Sequence, residues 1–222
     1  MKRSVYSLVL SDDVVAAVDL LAYGSSTSRS NMINQILAEY VSYVTPEKRM
    51  KDIFGRIEKS MENEDAFQVL FQPSCSMISI KSALQYKYKP TVRYGVELYR
   101  NADVTVGELK VTLRTQSRPF IDDLTDFFRL WARLEEAYIA PYFEGRAIPC
   151  HIGEGKYVRQ FILPNEKKYR TNEKLGQAIA DYIRMFDHIM KIYFAASNDA
   201  TETVNQAEKA YVSYLENGIV II

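Results

Sequence analysis

The apolar positions of this chain change period several times, and each change predicts an element. Residues 4–10 alternate, with Tyr6, Leu8 and Leu10 on one side and Val5, Ser7 and Val9 on the other, the period-two pattern of a half-buried strand. Ser11-Asp12-Asp13 then starts a helix, with carboxylates in the first turn where the helix dipole favours them. A Gly/Ser turn spans Gly24 to Thr27. A second helix opens on Ser28-Arg29-Ser30-Asn31 and carries Met32, Ile33, Ile36, Leu37, Tyr40 and Val41. Thr45-Pro46 marks a boundary and caps a third helix reaching about Asn63, with Met50, Ile53, Phe54, Ile57 and Met61 on one stripe.

From Ala66 the alternation returns in Phe67, Val69 and Phe71, in Leu84, Tyr86 and Tyr88, in Val92 to Leu98, and in Leu109 to Leu113. Half-apolar runs with short connections, one of them turning at Asn101-Ala102-Asp103, predict an antiparallel sheet with one wet face. Residues 119–143 switch to helical spacing through Ile121, Leu124, Phe128, Trp131, Leu134 and Tyr138. A hairpin follows over Ile148 to Leu163, turning at Gly153-Glu-Gly155, and two helices span 172–196 and 199–216 before an apolar tail, Ile219 to Ile222. The expected class is α+β, with residues 1–45 as one module, 46–64 as a connecting helix and 65–222 as a second domain for effector binding or oligomerisation.

A strand-helix-helix unit of about 40 residues buries too little apolar surface to stand alone. Its strand also lacks a nearby partner in sequence, and an unpaired edge leaves backbone groups unsatisfied. Pairing with the same strand of a second copy answers both needs and makes a two-stranded ribbon of a size that fits the major groove. The order of strand, helix, turn and helix, ending on Ser28-Arg29-Ser30, resembles the ribbon-helix-helix family of bacterial DNA-binding proteins over residues 1–45.

That resemblance implies a homodimer on double-stranded DNA. The outward face of the ribbon, Val5, Ser7 and Val9, would meet the bases, helped by Lys2 and Arg3 at the strand entrance. Valine can touch a thymine methyl but cannot hydrogen-bond a base edge, which leaves Ser7 as the main polar reader. The start of the second helix would clamp a backbone phosphate through Ser28, Arg29 and Ser30, since free N–H groups and the helix dipole favour an anion there. Two valines on the reading face depart from the longer polar residues usual in the family. So does the polar Gly24-Ser25-Ser26 turn, where a leucine often stands.

Charge tempers the reading. Lys2, Arg3 and Arg29 face Asp12, Asp13, Asp19 and Glu39 within residues 1–41, and the whole chain balances 28 basic against 28 acidic residues. Non-specific affinity rests on phosphate neutralisation, so tight binding is expected only at the right sequence. No run approaches the roughly 18 apolar residues of a membrane span, and the apolar region of a signal peptide is missing, which gives a cytoplasmic expectation. Cys75 and Cys150 lack metal spacing and are expected as buried thiols.

Residues 65–222 offer little chemistry. His151 and His188 are isolated, Cys150-His151 point to opposite faces of a strand, and Gly153-Glu-Gly155-Lys156 lacks the spacing of a phosphate loop. Asp122, Asp123 and Asp126 fit a helix first turn. No catalytic residue, metal or cofactor is expected. Lys87, Lys89, Arg93, Lys110 and Arg114, with Tyr99, could share one sheet face and take a small anionic effector, or form a solvated face offset by Glu97 and Glu108. The function so read is a sequence-specific transcriptional regulator. A plasmid or mobile-element accessory protein for partition or transfer is the first alternative, and an enzyme with a catalytic domain at 65–222 the second.

Overall fold

The computed structural model describes residues 5, 7–62, 64–70, 74–84, 90–143, 147–195 and 200–222. It is mixed α and β, with six α-helices and a six-stranded antiparallel sheet among those residues. The chain forms two compact units, 1–49 and 50–222.

In the first unit, α1 (Asp12–Gly24) starts after Ser11 with Asp12 and Asp13 in its first turn, and α2 (Arg29–Tyr40) starts after Ser28. The connection turns through Ser26 at φ 48°, and Thr27 N–H closes onto the Ala22 carbonyl. The two helices share a small core of Val18, Ala22 and Met32, with Ile33 against it. The expected strand is not present: residue 5 and residues 7–10 have no strand structure, and Val5 and Val9 are fully exposed. Leu8 and Leu10, expected on a core face, are 60% and 40% exposed. The physical reason is that a strand exists only by pairing, and a single chain offers these residues no ladder.

α3 (Pro46–Met61) begins where the sequence predicts, with Lys48 N–H bonded to Thr45 Oγ1 at 3.2 Å. Its stripe of Met50, Ile53, Phe54, Ile57 and Met61 is buried throughout. The sheet of the second unit contains β1 (Phe67–Leu70), β2 (Met77–Ala83), β3 (Thr91–Leu98), β4 (Thr105–Leu113), β5 (Cys150–Gly153) and β6 (Lys156–Ile162), ordered β1-β2-β3-β4-β6-β5. β2 is not an expected element. The strand expected at 84–89 falls at 85–89 on residues outside those described.

Alternation sets the two faces of the sheet. Val92, Tyr94, Val96 and Leu98 point inward with Leu109, Val111, Leu113, Tyr157 and Phe161, and all are buried. The helices α4 (Arg118–Tyr138), α5 (Asn172–Ala195) and α6 (Ala200–Glu216) complete the core, α4 carrying Leu124, Phe128, Trp131 and Leu134 into it as its spacing predicts. α3 approaches α5 closely enough that a Cβ at Gly176 would stand 2.7 Å from the Ile53 carbonyl oxygen. No described helix is long and apolar enough to cross a membrane.

Candidate functional site

Residues expected to touch DNA lie in the first unit, and the structure describes most of them. Val5, Ser7 and Val9 are exposed, as are Ser28, Arg29 and Ser30; Lys2 and Arg3 lie outside the described residues. Ser28 is a working N-cap, its Oγ accepting from Asn31 N–H at 3.3 Å. Arg29 does not project freely. Its Nε and Nη2 donate to the two carboxylate oxygens of Asp19 on α1, at 2.6 and 2.5 Å. That fork holds the start of α2 to the body of α1, and both side chains stay about half exposed. The hydrogen bond from Arg29 holds the Asp19 carboxyl below its ordinary range.

Exposed apolar side chains concentrate in this unit. Fourteen of the seventeen large exposed hydrophobics among the described residues lie between Val5 and Val44. They extend the buried stripes rather than dotting the surface: Val14 and Leu21 flank Val18 on α1, and Ile36, Leu37 and Tyr40 continue from Met32 and Ile33 on α2. Contiguous apolar surface of this kind marks an interaction face.

No family model, curated protein or solved structure matches the chain.

The second unit holds a feature the sequence reading missed. Glu135 of α4 and Arg159 of β6 are 1% exposed each, inside the core. Arg159 Nε donates to Glu135 Oε1 at 3.0 Å, and that oxygen also accepts from Tyr182 OH at 2.9 Å. Tyr157 OH donates to Glu135 Oε2 at 2.9 Å, and Trp131 Nε1 donates to Tyr182 OH at 2.8 Å. The guanidinium also lies over the Tyr182 ring, 4.6 Å from its centroid. Burial and the Glu135 charge push the Tyr157 and Tyr182 hydroxyls well above the ordinary tyrosine range. Among the described residues, Arg159 Nη1 and the OH of Tyr211, whose ring packs on Trp131, find no hydrogen-bond partner. A legible signal existed. Glu135 falls one residue after Leu134 on the apolar stripe, and Arg159 alternates in phase with Tyr157 and Phe161. Charged residues in core register are uncommon and need an explanation.

On the outer face of the sheet, register aligns Lys81, Arg93, Thr112 and Lys156 in one row, with Lys110 beside Gly95 in the next. Arg93, Lys110 and Arg114 are exposed as expected, and Lys87 and Lys89 lie outside the described residues. Glu97 and Glu108 stand opposite one another further along, and Tyr99 OH donates to Glu108 at 3.0 Å. The cysteines differ from expectation, since Cys75 and Cys150 are both exposed. Cys150 sits in the edge strand β5, where a short strand leaves its side chain at the surface. Partial desolvation beside the sheet and the Glu135 charge still raise its thiol pKa, which works against nucleophilic use. Among the described residues no group of His, Cys, Asp and Glu could hold a metal ion.

Proposed function

We propose that the protein is a homodimeric, sequence-specific DNA-binding regulator that reads the major groove with a β-ribbon formed by residues 4–10 of two copies. The observation that carries this reading is the apolar surface of residues 5–44 around a three-residue core. A second copy supplies the missing cover. The two strands pair, Leu8 and Leu10 fold onto the helices, and the stripes of α1 and α2 close against their counterparts. Val5, Ser7 and Val9 then face outward together.

Ser28 and the first turn of α2 fit the phosphate-clamping role, because the backbone N–H groups there point away from the helix. The Arg29–Asp19 fork is exposed, and exposed pairs are weak, so a phosphate can take the guanidinium from Asp19. The neutral balance of charge makes binding depend on base contacts more than on general attraction.

Selection of genomic fragments by the purified full-length protein at about 0.15 M salt tests the reading. One palindromic motif beside few genes would support transcriptional control, and a tandem array would favour DNA organisation for partition. If no fragment is enriched, or if the protein sediments as a monomer at micromolar concentration, DNA reading by a dimeric ribbon is wrong.

A further inference from the structure

We propose that the second unit contains a binding site for a small, uncharged, largely apolar molecule bearing a hydrogen-bond acceptor oxygen, with Arg159 Nη1 as its polar anchor and the segment Ile219–Ile222 as the built-in occupant. Three observations carry this.

The first is the unpaired donor. Arg159 is 1% exposed, yet among the described residues its Nη1 has no partner, and neither has the OH of the fully buried Tyr211. A buried donor without an acceptor is costly, and guanidinium N–H groups are strong donors.

The second is what lies against it. Arg159 and Tyr182 line a space with Ile139, Met185 and Leu215, and Ile219, Val220, Ile221 and Ile222 close it. With that segment seated, only about 10 Å³ remains, room for about one water molecule. The walls are apolar apart from the Arg159 and Tyr182 groups, which is the make-up of a small-molecule site.

The third is how the segment is held. Gly218 turns the chain at φ 79° after α6, and the last backbone bond is Ile219 N–H to the Tyr214 carbonyl. Among the described residues no backbone hydrogen bond from an N–H of 220–222 is made outside regular elements, and these residues belong to no helix or strand. Ile222 is 1% exposed, and Ile219, Val220 and Ile221 pack against the core as partly buried apolar residues. A ligand of similar shape exchanges one apolar burial for another and adds a bond to Nη1 that the segment does not make.

Charge selects an uncharged ligand. Glu135 already neutralises Arg159 at 3.0 Å, so a buried carboxylate ligand would leave the site with an unbalanced negative charge. A carbonyl oxygen of a ketone, ester or amide satisfies Nη1 without that cost. The outer row of Lys81, Arg93 and Lys156 is a separate surface.

Trp131, the only tryptophan of the chain, reports on the site. It donates to Tyr182 OH, and its ring lies 5.2 Å from that of Tyr211. The experiment is a fluorescence titration of the full-length protein with methyl heptyl ketone, alongside nonane and octanoate as matched probes lacking the carbonyl or adding a charge. We expect a saturable change in Trp131 emission with the ketone, about tenfold weaker or absent with the other two. Ile221→Ala, which loosens the seated segment but leaves the polar cluster whole, should bind the ketone more tightly. Arg159→Met combined with Glu135→Gln should erase the preference for the ketone over nonane; should that variant not fold, Ile221→Ala and the three probes still decide. No saturable response in either the wild type or Ile221→Ala would overturn the proposal, as would equal binding of ketone and nonane or tighter binding of octanoate. No DNA is present in this test, so its outcome is separate from that of the DNA-binding proposal.

Discussion

Arg159 of β6 and Glu135 of α4 form a 3.0 Å ion pair with both side chains within 2% of complete burial. Tyr157, Tyr182 and Trp131 complete the bonding around Glu135, so the pair ties a strand to two helices at the centre of the core. Arg159→Met leaves Glu135 buried without a counter-charge and should cost about 3–5 kcal/mol. Adding Glu135→Gln should restore most of that stability. Urea unfolding of the two variants measures both, and a single variant within about 1 kcal/mol of wild type would refute the account.

Alkaline pH should destabilise the second unit. Burial, with the bond to Glu108, pushes the Tyr99 hydroxyl from its ordinary 10.0 up to about 12. The hydroxyls of Tyr94, Tyr157 and Tyr182 lie well above the ordinary value, through burial first and then Asp187 or Glu135. Each folded-state pKa is raised, so the stability these groups contribute is whole below about pH 10 and is lost as pH rises through the folded values. Denaturant midpoints should therefore fall steadily from about pH 10 to about pH 12. A flat midpoint across that window would contradict the burial of these hydroxyls.

Gly176 lets α5 approach α3. A methyl group there would stand 2.7 Å from both the Ile53 carbonyl oxygen and Arg56 Cβ, so one helix must shift. Gly176→Ala should destabilise by about 1–3 kcal/mol despite the better helix propensity of alanine. Thermal unfolding decides the sign, since an increase in Tm would mean the two helices slide freely.

If residues 1–49 bind DNA as proposed, two kinds of contact can be told apart. Ser7→Ala should change which bases are preferred. Arg29→Ala should weaken every site about equally and lower the salt dependence, because phosphate contacts carry no base information. Asp19→Asn removes the carboxylate now bonded to Arg29 and should tighten binding at all sites. The reverse pattern, with Arg29→Ala altering preference and Ser7→Ala not, would show that the strand register is wrong.

Much of the second unit was legible because its elements are amphipathic. Val92 to Leu98 and Leu109 to Leu113 alternate between core and solvent, and the stripe from Leu124 to Leu134 keeps one helix face inside. β2 was not, because Ser82 takes an inward position between Ile80 and the end of the strand and bonds Lys191 Nζ at 2.9 Å. A serine among isoleucines breaks the alternation on which the reading depends. The Glu135–Arg159 pair was missed for a related reason, since two charged residues far apart in sequence give no local sign that they neutralise one another. In the first unit the helices and the Ser28 cap were legible, whereas the alternation of residues 5–10 gave a strand that the described residues of the single chain do not form, since alternation does not reveal whether a pairing partner exists.

Among the described residues the sheet offers little open edge. Its described edge strands, β1 and β5, have four residues each, too few to template an added strand of useful length. Pro149 stands directly before β5, and Gly153 ends it where the chain reverses. On the proposed reading, backbone pairing between copies would fall to the N-terminal residues and not to this sheet. In the proposed ribbon each strand would pair through one edge and keep the other open, so assembly would stop at a pair only where the following helices shield those outer edges.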